Sequence, residues 1–273
     1  MSIAGSPSTS DQTATLRSNQ HRNVALLALS QALFMSVQTM GIATTPLAAH
    51  SMLVDKAFAT VPTFLQHAGL MATTVPASLL MNKIGRRGGF TIGALTGILS
   101  GAISFLGILW QQFDLLCIGA FLQGAAAAAA WYFRFAAADA STNDFKAKAI
   151  SFVMAGGVIA GLLGPTTAKW AVDWLSPLTF AGVYVMMMIF SGLVLIVVQL
   201  IRIPGLSAAE KAEGGRPMRE ITRQPAYFIA LLSSMLGYGT MTLIMSATPL
   251  AMLACGFKFA DSATVIQAHV VAM

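Results

Sequence analysis

Several polar side chains lie inside long uncharged stretches of this sequence, where they could contact a solute. Gln31 and Gln38 are seven residues apart and share one face of a helix, and Thr45 continues the same stripe. A buried amide requires hydrogen-bond partners, which either a polar solute or a neighbouring helix would supply. The sequence therefore predicts a solute site or interhelical hydrogen bonds at Gln31 and Gln38.

A second set of polar and aromatic residues falls on one flank of a later helix. At 100° per residue, Gln123, Trp131 and Arg134 lie on a common side. A charge this close to the bilayer is costly unless it pairs or faces water. Arg134 could therefore attract an anionic or polar solute, with Trp131 as a stacking face. The alternative is an arginine that extends to the membrane interface beside aromatic residues.

Two histidines occupy corresponding depths in two predicted helices. His67 lies about eight residues into the second helix and His269 about eight into the last one. Because imidazole titrates near neutral pH, both are candidates for proton coupling. The alternative is that each is a hydrogen-bonded packing residue. Cys117 and Cys255 show no metal-ligand spacing, so no metal and no cofactor are expected.

The helices that position these residues follow from composition. The chain is 56% hydrophobic and 10% charged, with mean hydropathy +0.72, whereas soluble domains carry about 25% charged residues. An uncharged run of about twenty residues spans a bilayer, and a helix satisfies its own backbone there. We predict an all-α polytopic membrane protein with seven complete transmembrane helices and an eighth that begins near Asp261. The stretches without Asp, Glu, Lys or Arg are 23–54, 57–82, 88–113, 115–133, 149–168, 174–201 and 224–257.

The basic residues indicate topology rather than a nucleic-acid partner. In the predicted order of helices, 13 of the 16 Lys and Arg residues fall on the side of the N-terminal tail, and only Lys56, Lys169 and Lys258 fall outside it. The positive-inside rule then places the N-terminus in the cytoplasm. We expect a multi-pass protein of the inner (plasma) membrane that contacts the lipid bilayer and binds no nucleic acid.

Four regions follow from the composition along the chain. Residues 1–22 are polar and are predicted to form a disordered cytoplasmic tail. Residues 23–201 hold six helices that form an N-terminal bundle. Residues 202–225 are rich in charge, Pro and Gly and are predicted to be a flexible cytoplasmic linker. Residues 226–273 are predicted to hold the seventh helix and part of the eighth, as an incomplete C-terminal bundle.

An internal repeat supports two related halves. Residues 226–251 align with 23–48 at eight of 26 positions, including the shared run Thr-Pro-Leu-Ala. If the second half is as long as the first, the natural protein continues for roughly another 130 residues.

A short basic loop carries a family resemblance. Residues 78–87 read Ser-Leu-Leu-Met-Asn-Lys-Ile-Gly-Arg-Arg, which resembles the loop signature Gly-x-Leu-Ala-Asp-Arg-x-Gly-Arg-Arg of the major facilitator superfamily. Asn82 replaces the acid that forms a charged latch in that family. We hypothesise that Asp139, at the same side of the membrane, supplies the missing carboxylate to Arg86 or Arg87. The alternatives are a simple topology-setting turn and a solvated carboxylate at a helix end.

Two further motifs are partial matches. Residues 156–165, with Gly164 and Pro165, resemble the family's fifth-helix motif, which is associated with antiporters. Gly157 and Gly161 form a Gly-x-x-x-Gly face that predicts close packing at a moving interface. Residues 122–124 resemble the fourth-helix motif, but Ala120 stands where the family has an arginine linked to proton coupling.

The resemblance implies a secondary active transporter that moves a small solute by alternating access, with protons as a candidate coupling ion. Part of the sequence resembles vitamin (riboflavin-type) importers, and the alternative is drug or metabolite export. A polytopic membrane enzyme or sensor is the alternative from another class. The clustered catalytic residues of an enzyme and a soluble output domain are both missing from the sequence, so we expect no enzyme. In the family the first, fourth and seventh helices line the cavity, which makes Tyr238 and Thr242 further candidates. The residues expected to act in gating or packing are Asn82, Lys83, Gly85, Arg86, Arg87, Asp139, Gly157, Gly161, Gly164 and Pro165.

Overall fold

The computed structural model describes the backbone of residues 9–202 and 218–272, and the side chains of residues 19–202 and 220–272. Within these ranges the chain forms helices and turns without a strand, so the predicted all-α fold is confirmed. The helices, in chain order, are α1 (Thr9–Met52), α2 (Val61–Leu109), α3 (Phe113–Ala130), α4 (Phe133–Asp139), α5 (Lys146–Ala171), α6 (Ala181–Leu200), α7 (Met218–Thr222), α8 (Pro225–Ala254) and α9 (Phe259–Ala272).

Six helical segments of the described chain are long and apolar enough to cross a membrane. The second, Lys56–Leu109, has 54 residues and contains two of the helices predicted from sequence. It breaks at Gly85, where φ is 82° and ψ is 166°, a conformation that is essentially confined to glycine. We call residues 61–84 the first arm of α2 and residues 86–109 the second arm.

Both arms of α2 pack against α3 at close range. A Cβ added at Gly124 would collide with the backbone of Gln66, and one added at Gly69 would collide with Phe121. On the second arm, Gly119 lies equally close to Ser104. Glycines at these three positions therefore let three helical segments meet at close range.

Helices α1 and α5 lie side by side and run in the same direction. Gly156 packs on the backbone of Ala28, and Gly164 packs on Ser36 and Thr39 of α1. Of the predicted face, Gly161 packs on Val270 and Val271 of α9, whereas no described atom lies within 4 Å of a Cβ added at Gly157, so close packing at Gly157 stays a prediction. The two glycines that face α1, Gly156 and Gly164, are eight residues apart. The sequence pattern did not identify this pair.

The start of α1 differs from the predicted disordered tail. The structure is helical from Thr9, so residues 9–22 correct that prediction, whereas residues 1–8 lie outside the described part. Contacts explain the order at the end of this segment: Thr142 donates from its backbone N and its Oγ1 to Gln20 Oε1, at 3.3 and 3.2 Å, and the His21 ring meets the Phe145 ring at 5.0 Å. The predicted linker is described only at its margins, since residues 203–217 also lie outside the described part.

The helix predicted from the uncharged stretch 115–133 is divided in the structure. Trp131 and Tyr132 form a turn between α3 and α4, where the Tyr132 N–H donates to Ala129 O at 3.1 Å. This bond to the third preceding residue tightens the helix locally. Residues after the turn, including Arg134, are therefore rotated about the helix axis relative to the residues before it.

The described molecule has two ends of unlike charge. We call the end that carries Lys83, Arg86, Arg87 and Arg202 the basic end, and the opposite end, with Lys56, Lys169 and Lys258, the far end. At the basic end, Asn23 joins the start of α1 to the end of α6: its Nδ2 donates to Arg202 O at 2.8 Å and its Oδ1 accepts from Arg202 N at 3.2 Å.

The last two long helices contact the first six mainly toward the far end. Leu47 of α1 and Pro249 of α8 line the same small cavity there, and Gly161 of α5 packs on Val270 and Val271 of α9. Toward the basic end, by contrast, residues 225–240 of α8 are exposed. The described parts of the two halves therefore meet at one end and diverge at the other.

Candidate functional site

A cavity of about 110 Å³ lies where α1, α2, α3 and α8 approach one another. Its walls are largely apolar, with Met35, Leu70, Met241 and Met245 among them. Six side chains supply the polar and aromatic chemistry, and they are Gln38, Thr39, Gln66, His67, Trp131 and Tyr238. Such a combination of apolar walls and a few convergent polar groups is typical of a small-molecule site.

The polar centre of the cavity is a cluster of amides on three helices. Gln66 Nε2 of the first arm lies 2.9 Å from Gln38 Oε1 of α1, and Gln123 Nε2 of α3 lies 3.2 Å from the same oxygen. Gln66 and Gln123 are buried, whereas Gln38 is partly exposed to the cavity. The structure thus places two predicted candidates, Gln38 and Gln123, in direct contact.

His67 stands at the junction between this cavity and a larger groove. Its Nδ1 lies 2.8 Å from the Thr63 carbonyl oxygen. Because a carbonyl only accepts, Nδ1 carries the proton in this arrangement, and Nε2 is the nitrogen available as an acceptor. The His67 ring meets the Tyr238 ring of α8 edge to face, with 6.2 Å between centroids.

The groove itself runs between the first arm of α2 and α8 and has a volume of about 640 Å³. Its polar groups come from Thr60, Thr63, His67, Ser234, Tyr238, Thr242 and Ser246. Drug-sized ligands occupy pockets of about 300–1,000 Å³, so the groove has the appropriate size and the smaller cavity forms a recess at its side. His67 and Tyr238 belong to both.

No Asp, Glu, Lys or Arg occurs among the described residues that line the cavity and the groove. A charged solute would therefore lack a counter-charge in this part of the molecule, which is costly in an apolar environment. The described walls thus combine uncharged hydrogen-bonding groups with apolar and aromatic side chains. The described residues also contain no group of three or more His, Cys, Asp or Glu side chains that could hold a metal ion.

A sequence profile described as the Major Facilitator Superfamily matches residues 25–273. This chain belongs to the Major Facilitator Superfamily. It is also 35% identical over 254 residues to the protein named riboflavin transporter RfnT of Brucella anthropi, an alignment that covers 92% of this chain and 64% of the relative. The chain thus spans less than two-thirds of the length of that relative. Membership in this family favours a transporter over a membrane enzyme or sensor.

The superfamily's signature loop forms the expected ion pair in this chain. Arg86 Nη2 lies 2.9 Å from Asp139 Oδ2, and Arg86 Nε donates to the same oxygen at 3.1 Å. Asn82 and Lys83 are exposed, so Asn82 takes no part in this contact. Arg87 instead donates to Gln199 Oε1 of α6, at 2.8 Å from Nη2. The gating role of these residues stays a prediction.

Trp131 and Arg134 do not share the position that the flank pattern predicts. Trp131 lines the cavity, but Arg134 lies beyond the turn that follows it and does not. The Arg134 guanidinium stacks over Trp131 at 5.4 Å and over Phe135 at 5.1 Å, and its Nε is buried without a hydrogen bond to a described atom. Arg134 therefore supports the tryptophan that faces the cavity rather than meeting a solute there.

Three other candidates also lie apart from the cavity or its centre. Gln31 is buried two turns nearer the basic end and does not line the cavity. His269 of α9 is half-buried, and its Nε2 has no described hydrogen-bond partner, whereas its neighbour Val270 reaches the cavity wall. Thr242 faces the groove but not the cavity.

The far end contains a polar contact between the two described halves. Lys169 Nζ of α5 donates to Thr264 Oγ1 of α9 at 2.8 Å and lies 3.4 Å from Gln267 Oε1. Lys169 stands beyond Pro165, in the last turn of α5. It thus links α5 to α9 through hydrogen bonds at the far end.

Sequence reasoning missed three residues of these arrangements. Gln66 was overlooked in favour of its neighbour His67, although an uncharged amide within an apolar run is itself a signal. Ser100 lies 3.1 Å from Gln123 Oε1 and is buried, and a lone serine in a membrane helix gives little indication of such a role. Gln199 accepts from Arg87 and donates to Thr91 Oγ1 at 2.9 Å, a contact between segments distant in sequence.

Proposed function

We propose that the full-length protein is a secondary active transporter of the inner membrane that moves riboflavin, or a closely related flavin, by alternating access. The observation that carries this proposal is the uncharged cavity and groove lined by amides and aromatic rings. Riboflavin is a neutral tricyclic ring with polar edges and a polyol chain, which fits these surroundings. Similarity to the riboflavin transporter of Brucella anthropi supports the same substrate.

The topology follows from the positive-inside rule, with the basic end in the cytoplasm. On this assignment, the described halves meet at the outer end, through Lys169 and Thr264, and diverge toward the cytoplasm. The arrangement then corresponds to an inward-facing state. Alternating access would require the outer contacts to open as the two halves rock about the central site.

Protons are proposed as the coupling ion, with His67 as the coupling residue. His67 lines both the cavity and the groove, and its Nε2 is the available acceptor. A proton bound there would add a positive charge to an otherwise uncharged site and so change its affinity for a neutral solute. His269 is proposed only as a secondary candidate because it does not line the cavity.

The test is transport of riboflavin by the purified full-length protein in proteoliposomes, with and without a pH gradient. We expect saturable riboflavin uptake that responds to the gradient. Flavin mononucleotide, which adds a phosphate to the same ring, serves as the matched control solute and should be transported poorly because the described site lacks a cation. Absence of riboflavin binding and transport would refute the proposal. Movement of unrelated drugs or metabolites outward would instead support the exporter alternative.

A further inference from the structure

The Gln38–Gln66 pair has hydrogen-bonding groups left over after its internal contact. In the arrangement described above, Gln38 Oε1 accepts from both Gln66 and Gln123. Gln38 Nε2 and Gln66 Oε1 make no hydrogen bond with the described part of the chain. Both residues line the cavity. The pair therefore offers one donor and one acceptor from adjacent side chains.

Ser100 constrains the orientation of Gln123, which lies at the other end of the hydrogen-bonded row of amides Gln66, Gln38 and Gln123. Its Oγ lies 2.8 Å from Gly119 O and 3.1 Å from Gln123 Oε1. A hydroxyl has one hydrogen, and if it goes to the carbonyl of Gly119, Gln123 must turn its NH₂ toward Ser100. Amide orientations are exchangeable in this way because the oxygen and the nitrogen are nearly identical in shape.

Turning the Gln123 amide by 180° would exchange the donor and acceptor roles in all three amides. Gln123 Oε1 would then face Gln38, Gln38 would donate to both neighbours, and Gln66 would present its oxygen to Gln38. The groups left for the cavity would become the Gln38 oxygen and the Gln66 NH₂. In either orientation the pair presents one donor beside one acceptor, and only their positions are exchanged.

We infer that Gln38 and Gln66 recognise a lactam or imide edge, in which a ring carbonyl stands next to a ring N–H. Such an edge accepts one hydrogen bond and donates the next, which matches the pair in both amide orientations. A group that only donates or only accepts, such as a carboxylate or an ammonium, could not be complementary to both atoms. The class of solute is a planar heterocycle that carries this edge.

This inference rests on the proposed function and refines it, because riboflavin carries an imide edge at N3 of its ring. The recess of about 110 Å³ is too small for the whole molecule, so it would take the edge of the ring while the groove of about 640 Å³ takes the remainder. Trp131 lines the recess and is stacked against Arg134. Its indole is thereby held as a surface for the ring.

The experiment compares riboflavin with N3-methylriboflavin, in which the ring N–H is replaced by N–CH₃. Binding to the purified full-length protein is measured by flavin fluorescence for the wild type, Gln38→Leu and Gln66→Leu. Loss of a buried hydrogen bond should weaken wild-type binding of the methylated ligand by at least about ten-fold. Gln112→Leu, at an exposed turn before α3, is the matched control and should behave like the wild type.

The variants separate a hydrogen bond from simple bulk. Whichever glutamine accepts from the ring N–H, its leucine variant should bind riboflavin more weakly and should discriminate against the methylated ligand by less than about three-fold. The identity of that variant reports the amide orientation. Ten-fold discrimination retained in both variants, or no discrimination in the wild type, would overturn the inference while leaving riboflavin as the substrate. Failure of the wild type to bind riboflavin would overturn both proposals.

Discussion

The Arg86 guanidinium and the Asp139 carboxylate, 53 residues apart in the chain, meet through two contacts to Asp139 Oδ2 of 2.9 and 3.1 Å. Arg86 also lies over the Tyr132 ring at 5.7 Å, and Tyr132 donates its hydroxyl to Thr74 O at 3.3 Å. This cluster connects both arms of α2 with the end of α4. The acid that the signature loop lacks at Asn82 is therefore supplied in space by another helix.

Removal of this ion pair should alter the conformational equilibrium more than stability. The two side chains retain 25% and 35% exposure, and an exposed ion pair contributes about 0–1 kcal/mol to the free energy of unfolding. We expect Asp139→Asn to change transport rate and the balance of inward- and outward-facing states, measured by transport assay and spin-label distances. Asp144→Asn, at an exposed position in the following turn, is the control. If charge reversal at Asp139 leaves both measurements unchanged, the gating hypothesis is wrong.

Gly85→Ala should destabilise the loop between the arms. Its φ of 82° and ψ of 166° are conformations that cost a non-glycine residue about 1–3 kcal/mol. Gly157→Ala is the matched control: a Cβ there meets nothing within 4 Å, and alanine in a helix stabilises by up to about 1 kcal/mol relative to glycine. Thermal unfolding in detergent should therefore show a lower midpoint only for Gly85→Ala. Equal shifts in the two variants would contradict the role of the backbone at Gly85.

Lys169→Ala should favour opening of the far end, because it removes the hydrogen bond from Lys169 to Thr264 and the approach to Gln267. The readout is maleimide labelling of Ser262→Cys, a buried position in the far-end cavity, with the exposed Cys255 replaced by Ser. Labelling should become several-fold faster.

The control for this experiment is Lys56→Ala. Lys56 Nζ donates to the carbonyl oxygens of His50 and Leu53 within its own connecting segment, so it does not join the two halves. Its removal should leave the labelling rate unchanged. A rate that is the same in the wild type and in Lys169→Ala would show that the contact does not hold this end closed.

His67→Gln should reduce the response of transport to a pH gradient while preserving some riboflavin binding. Glutamine can donate to Thr63 O as the imidazole does, but it does not titrate in this range. The titratable ring that the structure places against His67 is that of Tyr238, so Tyr238→Phe is measured in parallel and should retain the response. A pH dependence that persists in His67→Gln would exclude this residue from proton coupling.

Much of the architecture was predictable from the sequence because the bilayer imposes simple rules. The uncharged stretches and the loop at 82–87 indicated the helices, the basic end and the family resemblance. The hypothesis that Asp139 meets an arginine relied only on both lying at one side of the membrane. Which arginine it meets was not predictable, because Arg86 and Arg87 are neighbours of the same residue type. The turn at Gly85 sets the direction in which each side chain points.

Periodicity misled where it was extended through an irregular backbone, and elsewhere it could not identify which helix is the neighbour. Arg134 was grouped with Gln123 and Trp131 on an ideal helix, but the turn at 131–132 separates it from the cavity. Gly157 and Gly161 fit a known spacing, yet α1 packs on Gly156 and Gly164. A helix carries several such stripes, and only the partner helix selects one.

The sequence by itself determined the helical class, the membrane-spanning stretches and the polar residues available for function, since these depend on local composition and spacing. Only the tertiary structure decided how those residues combine. It brought the amides of Gln66 and Gln123 to the Oε1 atom of Gln38, so that three helices meet there. It also left Gln31 outside the cavity and paired Arg86 with Asp139. The physical reason is that hydrogen bonds and ion pairs depend on distances of about 3 Å, and these are set by the backbone contacts at glycines such as Gly69 and Gly124.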